Sequence, residues 1–119
     1  MPARDHSTMD TRLRDRQIIE RALTEHAAVP YANGDVRTVT VFDHDRDHYL
    51  LVDVGRDGLR HVHGCLVHID IAGDEILVQR DGTEHGMARE LVAAGIAPAR
   101  IVLVFHPNGP LRFSDALAA

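Results

Sequence analysis

Along the middle of this chain apolar and polar positions alternate at the period of a β-strand, and on both sides of that stretch they recur at the period of a helix. From Asp10 to Ala27 the apolar residues Leu13, Ile18, Ile19, Ala22 and Leu23 fall on one helical stripe, with Arg12, Arg14, Arg16, Glu20 and Arg21 on the other sides. Asp10 can cap this helix. Pro30 ends it, because the residue before a proline is pushed out of the helical region. Residues 1–9 precede the pattern and are expected to form an unattached, flexible tail.

Asn33-Gly34 marks a turn, and strand signals follow. Val36–Phe42 is rich in β-branched residues and alternates. His48–Val54 comes next, then a turn at Gly55-Arg56-Asp57-Gly58. His61–Ile71, a tight Gly73-Asp74 turn and Glu75–Arg80 complete four strands joined by short polar connections. Leu66, Val67, Ile69 and Ile71 are apolar on both faces, as in a strand of a sheet covered on both sides. A second helix is expected over Thr83–Ala94, capped by Asp81 or Thr83 and favoured by Glu84 at its positive end. Gly95 should close it, with Ile96 touching Leu91. Ile101–Phe105 reads as a further strand, ended by Pro107-Asn108-Gly109-Pro110, and Leu111–Ala119 carries no pattern. The expected fold is α+β: an antiparallel β-meander flanked by two helices, with a fifth strand after the second helix, in a single domain over residues 10–119.

Composition narrows the function more than the fold. The 119 residues suffice for one core, and with two Tyr, three Phe and no Trp that core must be aliphatic. A net charge of −5 argues against an autonomous DNA binder, which needs a basic face to neutralise phosphates. Cys65 is the one cysteine, so no disulfide forms within the chain, and a reducing compartment is expected. No apolar run approaches the ~20 residues of a membrane span, and the first ten residues lack the apolar core of a signal peptide. The expected location is cytoplasmic, with no membrane partner.

Several groups of residues could carry chemistry. Asp43, Asp45 and Asp47 alternate like the opening of a calcium loop, but His48 stands where glycine should turn the chain and Val54 where the closing glutamate belongs. A solvated hairpin tip is the expectation there. His61, His63 and Cys65 fall at i, i+2 and i+4, on one face of a strand, and are chemically suited to zinc, although no fourth ligand is evident. His68 and Asp70 share the face opposite to Cys65 by simple alternation and could pair with Gln79, Glu84 or His85. With Glu84 they resemble part of a metal-dependent nuclease set, but that set needs a lysine and the chain has none. The phosphate-loop pattern is missing, and neither Ser7 nor Ser114 sits in a nucleophile elbow. The reading is a non-enzyme with no cofactor, the alternative being a metal-dependent enzyme or small zinc module on these His, Cys and Asp residues. The corner Gln79-Arg80-Asp81-Gly82-Thr83-Glu84 divides: backbone geometry accounts for Asp81, Gly82 and Thr83, while Arg80 and Glu84 are candidate partner contacts.

Taken together, Arg16-Gln17-Ile18-Ile19, Pro30-Tyr31, Arg46-Asp47-His48-Tyr49-Leu50-Leu51, Val54-Gly55 and Gly64-Cys65-Leu66-Val67-His68-Ile69-Asp70-Ile71 resemble the XisI-like proteins, called fdxN element excision controlling factors. The likeness continues through Val78–Glu84, Glu90–Ile96 and Ile101–His106, and so covers residues 10–118 in order. The resemblance implies an accessory protein for programmed excision of a DNA element. It also implies an XisH-like partner of the endonuclease-like superfamily, in which any nuclease chemistry would reside. The expected mechanism is association with that partner through an exposed sheet edge or apolar patch, with self-association as a further expectation. Two departures stand out: the family usually has aromatics at Asp15 and near His26, and it lacks the His61/His63 pair.

Overall fold

The computed structural model describes residues 2–31 and 34–118, with side chains described from Asp10 onward. Met1 of the expected tail and Asn33 of the first expected turn lie outside that set, and the helix expected from Asp10 begins eight residues earlier in the backbone. Helix α1 (Pro2–Ala27) opens the fold. Its inward stripe is Asp15, Ile19, Ala22 and Leu23, all buried, at the i, i+4, i+7, i+8 spacing of one helical face. Leu13, expected on that stripe, is instead 55% exposed, because Asp15 takes the core-facing position one turn before Ile19.

Among the described residues, six strands form one sheet in sequence order. They are β1 (Asp35–Asp43), β2 (His48–Asp57), β3 (Arg60–Ala72), β4 (Glu75–Asp81), β5 (Ile101–Leu103) and β6 (Leu111–Arg112). The first four make the expected antiparallel meander. β2 runs on through Gly55–Asp57, so the reversal falls later than expected, at Gly58-Leu59. β5 lies parallel to β4, since a helical crossover separates them, and it ends two residues short of Phe105. The patternless C-terminal segment supplies β6, antiparallel to β5, and helix α3 (Phe113–Ala118), whose Phe113 is buried.

Helix α2 spans Met87–Ala93, starting four residues later than expected. Gly86 turns the chain at φ 87°, and the Asp81 carboxylate reaches across the corner to accept the N–H of Met87 at 2.6 Å and of Thr83 at 2.9 Å. The polar corner therefore caps the helix from outside it. At the other end Ile96 N–H donates to the Leu91 carbonyl and Gly95 N–H to that of Val92, both at 3.0 Å, with Gly95 at φ 121°. That pair of bonds is the Schellman closure expected from the sequence.

The core lies on one face of the sheet. Tyr49, Leu51, Val67, Ile69, Ile76, Val78 and Ile101 pack there with Ile19, Leu23, Met87, Leu91 and Phe113. Register places Val39, Val41, Leu50, Val52, Cys65, His68, Asp70 and Leu77 on the other face, and none of them is buried. The expectation of a sheet covered on both sides is thus corrected. Leu66 and Val67 are adjacent apolar residues because Leu66 is a bulge that packs partly against the core. No helix among the described residues is long and apolar enough to cross a membrane.

Candidate functional site

The bulge in β3 decides which side chains meet. From the hairpin turn to Val52 opposite Cys65, β2 and β3 pair residue for residue; Leu66 is then skipped, and Leu51 faces Val67. One extra residue reverses the faces of everything beyond it relative to what precedes it. His68 and Asp70 therefore share the open face with Cys65, contrary to simple alternation. His48 comes directly across from Asp70, where Asp47 would otherwise stand. A second shift, between β3 and β4, leaves Gln79 as an extra residue beside Asp70.

The outcome is a convergent cluster on β2, β3 and β4. His48 Nδ1 lies 2.6 Å and His68 Nε2 2.7 Å from the same oxygen, Asp70 Oδ1, while the Gln79 amide donates to Oδ2 at 3.3 Å. The two imidazoles stand nearly perpendicular, with centroids 5.8 Å apart and an interplanar angle of 80°. Asp70 is the most enclosed of the three, with 17% of its side chain exposed against 43% for His48 and 31% for His68. The hydrogen bond to Asp70 holds the His48 imidazole above its ordinary pKa, against partial desolvation, with the charge of Asp43 adding and that of Arg46 opposing.

The other candidates fall elsewhere. His61 and His63 stack with centroids 6.4 Å apart on the exposed part of β3. The Cys65 thiol donates to the Val67 carbonyl at 3.4 Å, and burial pushes its pKa up, so it stays a neutral thiol. Among the described residues, the three-member group whose ligand atoms all lie within 4.8 Å of one another is His48, His68 and Asp70. His61, His63 and Cys65 are spread along one strand, at about 6.6 Å per two residues, and do not converge. Glu84 is exposed in the turn before α2 and does not join Asp70. Arg80 is exposed on the open face opposite His68, its Nε donating to the Cys65 carbonyl at 2.6 Å.

Sequence reasoning missed two features. His48 was invisible because its place depends on the bulge, which no local pattern announces. Asp47 is the second: the loop before β2 is not wholly solvated, since Asp47 is 8% exposed and adopts φ 57°. Its carboxylate accepts from Arg16 Nε and from the Tyr49 hydroxyl, both at 2.8 Å. Burial alone would raise the Asp47 pKa, but these two hydrogen bonds and the Arg16 charge hold it below the usual carboxylate range. Burial and then Asp47 push the Tyr49 phenol far up, so it remains a neutral donor. Asp43 does close the loop as an Asx turn, accepting the N–H groups of Asp45 and Arg46.

A groove of about 730 Å³ runs between α1 and α2 past Arg14, Ile18, Glu25 and Glu90. Its charges are mixed and its titratable groups do not converge, so the chemistry is placed on the open sheet face instead.

Comparison with known proteins follows the same fold. The XisI protein family matches residues 9–116. A XisI-like protein from Anabaena variabilis ATCC 29413 superposes with a TM-score of 0.70 at 31% identity, covering 76% of this chain and 84% of that one. The fdxN element excision controlling factor XisI from the same organism superposes with a TM-score of 0.59 at 27% identity, covering 82% of this chain and 92% of that one. No curated protein matches the chain.

Proposed function

The chain belongs to the XisI family, and on that premise we propose that it is a non-catalytic controlling subunit in the excision of a DNA element. The observation that carries this reading is the likeness, over 82% of the chain, to a structure described as an excision controlling factor. Its partner is an XisH-like protein of the endonuclease-like superfamily, which would hold any nuclease chemistry. The acidic net charge of −5 fits a subunit that reaches DNA through a partner rather than by itself.

The open face of the sheet is the surface we assign to that partner. β1 is an edge strand with unpaired backbone groups along one side, and Val39 and Val41 are exposed beside the half-buried Leu50 and Val52. Arg80 stands at the rim of this face, and Glu84 is exposed on the turn after β4. Both are placed among the contacts.

Co-expression with an XisH-like protein, followed by size and mass analysis, tests the proposal. A stoichiometric complex is expected, together with no retention of DNA by this chain alone at low salt. Elution of the chain alone, as monomer or self-associated species, would overturn the partner assignment.

A further inference from the structure

We propose that His48, His68 and Asp70 form a binding site for a divalent transition-metal ion, with zinc as the reference ion. Two imidazole nitrogens and one carboxylate oxygen lie within 4.8 Å of one another on the paired strands β2 and β3. Imidazole and carboxylate together are a ligand set for zinc and neighbouring divalent ions, and three such ligands leave a coordination position for water. The backbone does the positioning: His48 and Asp70 are direct cross-strand partners, and His68 is two residues from Asp70 on the same face.

The orientation of the side chains fits an ion better than isolated ion pairs. Both rings aim a nitrogen at one oxygen, Asp70 Oδ1, rather than dividing between the two carboxylate oxygens. The second oxygen is held separately by the Gln79 amide at 3.3 Å, the role of an outer group that orients a ligating carboxylate. Tetrahedral coordination at ~2.0–2.1 Å separates ligand atoms by about 3.3 Å. The present contacts of 2.6 and 2.7 Å therefore need to open by a fraction of an ångström, which side-chain rotation supplies. The exposure of both histidines gives the ion a path from solvent.

The proposal requires no thiolate. Cys65 is turned toward the Val67 carbonyl, and His61 and His63 lie further along the strand. The site therefore differs in every ligand from a module on those three residues.

Titration of tag-free, chelator-treated full-length protein with zinc ion, read by calorimetry and by the shift of the melting temperature, tests the site. One equivalent should bind at micromolar or tighter affinity and raise the melting temperature. His48→Gln, His68→Gln and Asp70→Asn should each lose that binding, while the paired His61→Ala and His63→Ala change should retain it. Gln79→Leu should weaken it about 10–100-fold, the usual effect of removing an outer-shell partner. Cobalt substitution should give a visible spectrum without a thiolate charge-transfer band. Each variant is checked by circular dichroism, and because the histidines are partly exposed they should fold. Less than one-tenth of an equivalent bound by the folded wild-type protein would overturn the proposal. So would loss of binding in the His61/His63 variant with retention in His48→Gln.

Discussion

The carboxylate of Asp15 is 2% exposed and is gripped by both terminal nitrogens of Arg100, at 3.1 Å to Oδ1 and 2.5 Å to Oδ2. Arg100 ends the single 3-10 turn (Pro98–Arg100) and also donates from Nε to the Asp74 carbonyl at 3.0 Å. One guanidinium thus ties α1 to the β3–β4 turn and to the start of β5. Removing the arginine strands a buried carboxylate, so Arg100→Met should destabilise the fold by about 3–5 kcal/mol, whereas Asp15→Leu leaves a guanidinium that is 26% exposed and should cost less. Exchanging both for apolar residues, Asp15→Leu with Arg100→Met, should be near neutral or stabilising. Urea unfolding of the two single variants and the double variant measures the coupling.

Asp47 should give the fold an acid-sensitive component. Its folded pKa is depressed by Arg16 and Tyr49. Its contribution is therefore fully present above the unfolded carboxylate value, about 3.9, and is lost as pH falls through the lower folded value. Asp47→Asn keeps a residue that tolerates the φ of 57° but removes the charge. The stability gap between wild type and this variant should be largest near neutrality and should close below about pH 4. Denaturant midpoints measured across that window check both the sign and the position.

Two glycines separate backbone strain from steric clash. Gly73 turns the β3–β4 hairpin at φ 61° with open space where a Cβ would go, whereas at Gly55, φ 148°, a Cβ would stand 2.0 Å from the Asp35 carbonyl oxygen. Gly73→Ala should cost about 1–2 kcal/mol, the penalty of a left-handed residue. Gly55→Ala should cost more and should loosen the end of β1. Faster amide hydrogen exchange at Asp35–Arg37 in Gly55→Ala, but not in Gly73→Ala, is the expected signature.

The elements most legible in the sequence were those set by local periodicity and turn chemistry. The α1 stripe from Ile18 to Leu23, the four meander strands and the Gly95 closure follow from side-chain spacing and from glycine's freedom at positive φ. What escaped depends on contacts distant in the chain. Asp15 reads as a surface charge until Arg100, 85 residues later, is placed against it. β6 and α3 lack a pattern because they are two and six residues long, too short for a period to show. At the candidate site, His68 and Asp70 were visible as an i, i+2 pair. His48 was not, because a one-residue bulge at Leu66 sets the register that brings it across, and no neighbouring residue type signals it.

Val41 offers the sharpest test of the open face as a partner surface. It is 48% exposed on the edge strand and sits directly opposite Leu50, which faces His68 in turn. A side chain this exposed contributes little to folding, so Val41→Lys should alter stability by no more than about 0.5 kcal/mol. A lysine there would also blunt the edge, in the way natural edge strands avoid unwanted pairing. If the XisH-like partner seats on this face, the substitution should weaken the complex by at least tenfold, about 1.4 kcal/mol, when binding is measured by calorimetry. Arg80→Ala with Glu84→Ala should weaken it as well, since Arg80 is exposed opposite His68 and Glu84 is exposed on the turn that follows β4. Unchanged affinity in Val41→Lys would place the partner away from the open face and make the α1–α2 groove the next surface to test.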